Sequence, residues 1–122
     1  MALPLSGGLL PANAGVAVPA SRTAETYGFP APTPSISAVS SGGGIVWVLD
    51  NSACYTDDCF VTPGVAILRA YDATNLGTML YSSATRPADA AGNAIKFTSP
   101  VVANGHVYIG GDGTLTVYGL SP

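Results

Sequence analysis

The chain has 122 residues, 48% of them hydrophobic and 9% charged, which is too apolar for a disordered tail and long enough for one small domain. The formal net charge is −3, and its few basic residues (Arg22, Arg69, Arg86 and Lys96) are scattered. Such sparse cations exclude binding to a nucleic-acid phosphate backbone and argue against an anionic membrane surface.

With 15 Gly and 10 Pro spread as punctuation and no collagen-like period, the chain should fold as many short strands joined by turns. No run approaches the ~18 apolar residues that a membrane span needs. The N-terminal stretch has small residues near Ala20, as a signal peptide would, but no Lys or Arg precedes Arg22. Pro4, Pro11 and Pro19, with Gly7, Gly8 and Gly15, also break its apolar centre, so a signal peptide is not evident. The preferred reading is that Met1 opens partway into a larger protein. Within this stretch, Gly15–Val18 and Thr23–Tyr27 can each form a strand.

Strand signals then follow in series. Thr33–Ala38 is a short alternating run behind prolines, and Gly44–Asp50 (GIVWVLD) is the most apolar strand, with Ile45, Trp47 and Leu49 on one face. Ala66–Asp72 follows a long loop and makes a hairpin with Thr78–Ser82. Arg86–Ala94 is the only stretch with a faint helical look. Phe97–Ala103, His106–Gly110 and Thr114–Leu120 complete the set. Asn104-Gly105 is the strongest tight-turn signal in the chain, and Asp112-Gly113 is the second.

Cys54 and Cys59 lie in the long loop, in the run ACYTDDCF. With no other cysteine and one distant histidine, a zinc site would have too few soft ligands. A disulfide that stiffens this loop is the preferred reading over two free thiols, and it points to an oxidising compartment, extracellular or periplasmic.

The two halves of the chain repeat each other. Ser35–Ala38 (SISA) matches Pro100–Ala103 (PVVA), Val46-Trp47 matches Val107-Tyr108, and Leu68–Tyr71 (LRAY) matches Leu115–Tyr118 (LTVY). The first copy carries an insertion, Asn51–Gly64, between its second and third strands. A unit of about 40 residues with four antiparallel strands is the size of a β-propeller blade.

The wording of the unit resembles the pyrroloquinoline-quinone-type (PQQ-like) propeller repeat. There the third strand ends in Ala-x-Asp, a turn with Thr and Gly follows, and the fourth strand carries a large aromatic. Here Ala70, Asp72, Thr74 and Gly77 match that pattern, Tyr81 stands where Trp is usual, and the turn is one residue longer. From Glu25 to Leu120 the order of motifs is similar to the C-terminal end of secreted bacterial PQQ-like propeller proteins.

The resemblance implies an all-β fold of antiparallel four-stranded blades, about two in number. Residues 1–28 would end a preceding blade, 29–85 form a first blade with the cysteine insertion, and 86–122 form a last, incomplete blade. It gives structural roles to Asp72 and Thr74 as acceptors of turn N–H groups and to Gly77 as a positive-φ residue. Tyr81 would lie flat between blades, while Trp47 and Tyr108 would fill the space between sheets or line the wall.

Chemistry-bearing candidates are few. Asp50, Asn51, Asp57 and Asp58 form an oxygen-rich cluster that can attract Ca²⁺, although solvated turn carboxylates are the preferred reading. His106, the single histidine, has no partnering Ser, Cys or carboxylate pattern and reads as exposed surface. Gly42–Gly44 lacks the helix and basic residue of a phosphate cradle.

The expected function is that of a non-catalytic structural or binding fragment of a propeller, with no cofactor. Its partners would be the remaining blades, or further copies through open blade faces. One alternative is part of a quinone-dependent dehydrogenase, competent only in the full propeller with PQQ and Ca²⁺. Another is an extracellular carbohydrate- or protein-binding module that makes contact through Ala53–Phe60.

Overall fold

A computed structural model describes residues 1–13, 15–38, 42–54 and 64–119. Two antiparallel meanders dominate it. Strands β3 (Ser35–Ala38), β4 (Gly44–Asp50), β5 (Ile67–Asp72) and β6 (Asn75–Ser82) form a four-stranded sheet in chain order. Strands β7 (Val101–Ala103), β8 (His106–Gly111) and β9 (Thr114–Gly119) form a three-stranded one. The N-terminal segment adds a short hairpin, β1 (Ala12–Asn13) with β2 (Val16–Ala17), and isolated bridges between Ala2 and Ser21 and between Ser6 and Leu9. Helical structure among the described residues is confined to 3-10 turns at Ser52–Cys54, Ser83–Thr85 and Pro87–Asp89. No helix among them is long and apolar enough to cross a membrane.

The fold is therefore all-β with antiparallel sheets, and the two sheets are built in one register. Val46 pairs with Tyr71 as Val107 pairs with Tyr118, Trp47 with Ala70 as Tyr108 with Val117, and Leu49 with Leu68 as Gly110 with Leu115. Only the first strand departs from the sequence match. Ser35 opposes Trp47 while Val101 opposes Tyr108, so Ser35 corresponds to Val101, not to Pro100. A one-residue slip matters because it moves every side chain of a strand to the other face.

Alternation along each strand decides what is buried. Trp47 and Leu49 of β4, Leu68 of β5 and Tyr81 of β6 face the second sheet. They meet Val102, Val107, Ile109 and Tyr118, with Ala66, Ala91 and Ala94 between. Leu49, Leu68, Val107 and Ile109 are fully or almost fully buried, each contributing about 2 kcal/mol by transfer from water. Val46, Val48 and Tyr71 point to the opposite side of the first sheet, where Ala2, Tyr27 and Leu76 cover them. Equivalent positions of the two copies thus point opposite ways across the interface. The first sheet offers its Trp47/Leu68 face, and the second answers with its Val107/Tyr118 face.

Three local expectations are corrected. Thr23–Tyr27 is not a strand; it bends at Ala24 and Glu25 and carries Glu25 and Tyr27 to the first sheet. Arg86–Ala94 holds a single 3-10 turn with Pro87 at its start, and Gly92 at φ 83 cannot continue a helix. Strand β7 begins at Val101, because Phe97 sits in a turn at φ 67 and Pro100 has no N–H to donate. The Asn104-Gly105 turn has positive φ at both residues, 51 and 74, as a two-residue hairpin of that twist demands.

Candidate functional site

The Ala-x-Asp hairpin is the most distinctive motif of the sequence, and hydrogen bonds dictate its form. One Asp72 carboxylate oxygen accepts the Thr74 N–H at 2.7 Å and the Thr74 hydroxyl at 2.6 Å. Thr74 is therefore a donor in this turn rather than an acceptor. The Thr74 side chain and then its N–H hold the Asp72 pKa below the ordinary value. Asp72 opposes Asn75, Tyr71 opposes Met79 and Ala70 opposes Tyr81. Leu76–Thr78 and then Leu80 consequently have no opposite residue, which is the bulge behind the longer turn. Gly77 does not use a positive φ; its N–H is taken by the Asn75 side chain at 3.0 Å, and a Cβ there would press on that oxygen at 3.1 Å.

Tyr81 and Trp47 lie between the two sheets. Tyr81 meets Tyr118 edge-on, with ring centroids 6.1 Å apart, so it does not lie flat. Its hydroxyl donates to the Asp89 carboxylate at 3.0 Å, and the Tyr118 hydroxyl donates to the Asp89 carbonyl at 2.8 Å. Trp47 gives its indole N–H to the Ser37 hydroxyl at 2.9 Å, and the Ser35 hydroxyl donates to the Pro100 carbonyl. Tyr108, the counterpart of Trp47, points away from the interface and lines the outer wall of the second sheet. His106 is exposed beside it, and its Nδ1 donates to the Asn104 carbonyl at 2.8 Å.

Of the oxygen-rich cluster, the described Asp50 already has partners on both carboxylate oxygens. One Asp50 oxygen takes the N–H and hydroxyl of Ser52 at 3.0 and 2.5 Å, and the other takes the Arg69 guanidinium at 2.7 Å. A carboxylate satisfied by a cation and two donors does not fit a Ca²⁺ ligand, and Asp57 and Asp58 lie outside the described residues. Burial pushes the Asp50 pKa up, but hydrogen bonds from Ser52 and Arg69 outweigh it and the net shift is downward. Cys54 is buried at the end of a 3-10 turn. Cys59 and the rest of the loop to Phe60 lie outside the described residues.

A polar chain missed by sequence reasoning ties the N-terminal segment to the first sheet. Tyr27 OH lies 2.6 Å from Tyr71 OH, which donates to the Glu25 carboxylate at 2.8 Å. Tyr71 has one proton and gives it to Glu25, so Tyr27 is the donor to Tyr71. Arg69 stacks over the Tyr27 ring at 5.6 Å. Burial first, and then the hydrogen bond given to the Glu25 carboxylate, push the Tyr71 hydroxyl well above the ordinary tyrosine pKa. Burial also raises Tyr27. The alternation of β5 marks Tyr71 as facing away from Ala70, but nothing local announces partners more than 40 residues earlier.

Two open faces remain. On the first sheet, a groove of about 470 Å³ is lined by Ala2 and Tyr27 of the N-terminal segment and by Ile36, Val46, Val48 and Tyr71 of the sheet. On the second, Val101, Leu115 and Val117 share an exposed apolar wall with Tyr108. No protein-family model, no curated protein and no solved structure matches the chain.

Proposed function

We propose that the chain is a non-catalytic structural and binding piece of a secreted PQQ-like β-propeller, the two sheets serving as consecutive blades. The observation that carries the reading is the repeated register, joined to stacking through opposite faces. Consecutive units of a radial repeat pack in this manner, the front of one on the back of the next. The hairpin chemistry supports it as well, since Asp72 and Thr74 bond each other and Tyr81 packs between sheets. The same reading makes Cys54 and Cys59 a disulfide in an oxidising compartment; among the described residues no cysteine is free.

The groups that perform chemistry elsewhere have structural partners here: Asp50 in an ion pair, Tyr71 in the tether, and His106 on a turn carbonyl. The test is direct. The full propeller is titrated with pyrroloquinoline quinone in the presence of Ca²⁺, with tryptophan fluorescence and reduction of an artificial electron acceptor by alcohols as readouts. The expected result is no saturable quenching and no dye reduction. Saturable, Ca²⁺-dependent turnover would replace the structural reading with the dehydrogenase one.

A further inference from the structure

We propose that two copies of this chain join through β9, which pairs antiparallel with β9 of the other copy and makes one continuous sheet of the two second sheets. The proposal goes beyond the blade reading and takes from it only the equivalence of the two sheets.

A strand at the rim of a sheet leaves alternate backbone N–H and C=O groups pointing to the open side. Proteins blunt such edges with short strands, proline, charge or bulges. The described edges of this molecule carry those devices, with one exception. β3 has four residues behind Pro34, β7 has three behind Pro100, and the β1–β2 hairpin has two residues in each strand. β6 is bulged against β5. β9 runs six residues against β8 without a register shift and holds no proline and no charged residue. It ends the strand order β7-β8-β9, and among the described residues no strand lies on its other side.

The first sheet shows what this unit does at that position. β5 is the counterpart of β9 by register, and there β6 closes the edge by antiparallel pairing. In a second copy, the short and bulged edges do not offer a regular ladder of matching length, which leaves β9 itself. A two-fold axis normal to the sheet makes the strand its own antiparallel partner, with N–H facing C=O along the seam. The side chains agree with this arrangement. Leu115 and Val117, 68% and 48% exposed, stand together on the outer wall. The two-fold sets them beside the same apolar pair of the other copy, with no like charges to repel. Such a contact is isologous, so it closes at a dimer. It also leaves untouched the first-sheet face that Ala2 and Tyr27 cover.

Sedimentation velocity from low micromolar to millimolar concentration should show the mass rising to twice that of the chain and no further. Over the same range, hydrogen exchange at the β9 amides should slow, a measurement that needs no variant. A Leu115→Lys/Val117→Lys double variant and a Leu115→Glu/Val117→Glu double variant should each stay monomeric, because the two-fold sets like charges across the seam. Mixed in equal amounts, the two should form a heterodimer. Circular dichroism and unfolding midpoints confirm that both variants fold.

A monomer at every concentration would overturn the proposal, and so would mass growing beyond a dimer. A dimer whose β9 amides exchange as fast as the monomer's would overturn it too, since the outer walls would then be meeting face to face. None of these results touches the blade reading, which fails separately if quinone and Ca²⁺ support turnover by the full propeller.

Discussion

Leu68 and Leu115 are the same residue at the same register position in two copies of one unit, yet one is sealed and the other is open. Truncating each to Ala therefore measures the stacking of the sheets with sequence chemistry held constant. Leu→Ala removes three carbons, worth about 2.4 kcal/mol at ~0.8 kcal/mol per carbon when fully buried. The cavity left among Leu49, Val107 and Ile109 raises the cost of Leu68→Ala to about 3–4 kcal/mol. At Leu115 about a third of the residue is covered, so the same arithmetic gives under about 1 kcal/mol. For a domain of this size each kcal/mol moves the melting temperature by roughly 3–5 °C. Leu68→Ala should therefore melt about 9–20 °C lower and Leu115→Ala less than about 5 °C lower. The assay is calorimetry at low micromolar concentration, where copies are kept apart, with urea unfolding as a check on the slope. Equal losses at the two positions would refute the arrangement in which the first sheet's Leu68 face, and not the second sheet's Leu115 face, forms the interface.

Acid should weaken the fold through Asp50 and Asp72, whose pKa values both lie below the ordinary carboxylate value when folded. A depressed carboxylate contributes stability above its unfolded pKa and loses it as pH falls through the folded one, so the urea midpoint should drop below about pH 4. Asp50→Asn should flatten that drop while lowering stability at neutral pH, because it leaves Arg69 without its charge partner. Alkali acts with the opposite sign. Tyr27, Tyr71, Tyr81 and Tyr118 all have raised pKa values, so their contribution is present below the unfolded tyrosine value near 10 and is lost above it. Absorbance at the tyrosinate band should therefore rise in two stages, the larger one coinciding with unfolding and not preceding it.

Where local chemistry decides the conformation, the sequence was readable. Gly44–Asp50 has the bounds expected of it, since an apolar β-branched run between a glycine turn and Asp-Asn has no competing structure. Asn104-Gly105 forms its turn for an equally local reason, tolerance of positive φ. The failures come from tertiary partners. Thr23–Tyr27 alternates like a strand, but Glu25 and Tyr27 are held through side chains to Tyr71 and the backbone joins no ladder. The match of Ser35 to Pro100 slipped because the loop before β4 is longer than the one before β8, which similarity of residues alone does not reveal. The groove and the tether depend on residues far apart in the chain, so no spacing in the sequence pointed to them.

Asp89 has a consequence for how this architecture can be cut and inherited. Its carboxylate holds Tyr81 of the first sheet and its carbonyl holds Tyr118 of the second. On the same connection, Ala91 and Ala94 are buried between the sheets. The segment joining the sheets is thus interior wall at Ala91 and Ala94 but exposed over residues 84–88, and a protease should reach that exposed stretch and the N-terminal hairpin well before the buried one. By the same physics, a recombination junction placed at Asp89–Ala94 would strip both sheets of their shared filling. The smallest piece that can be moved between proteins without loss is therefore the stacked pair, not the single sheet.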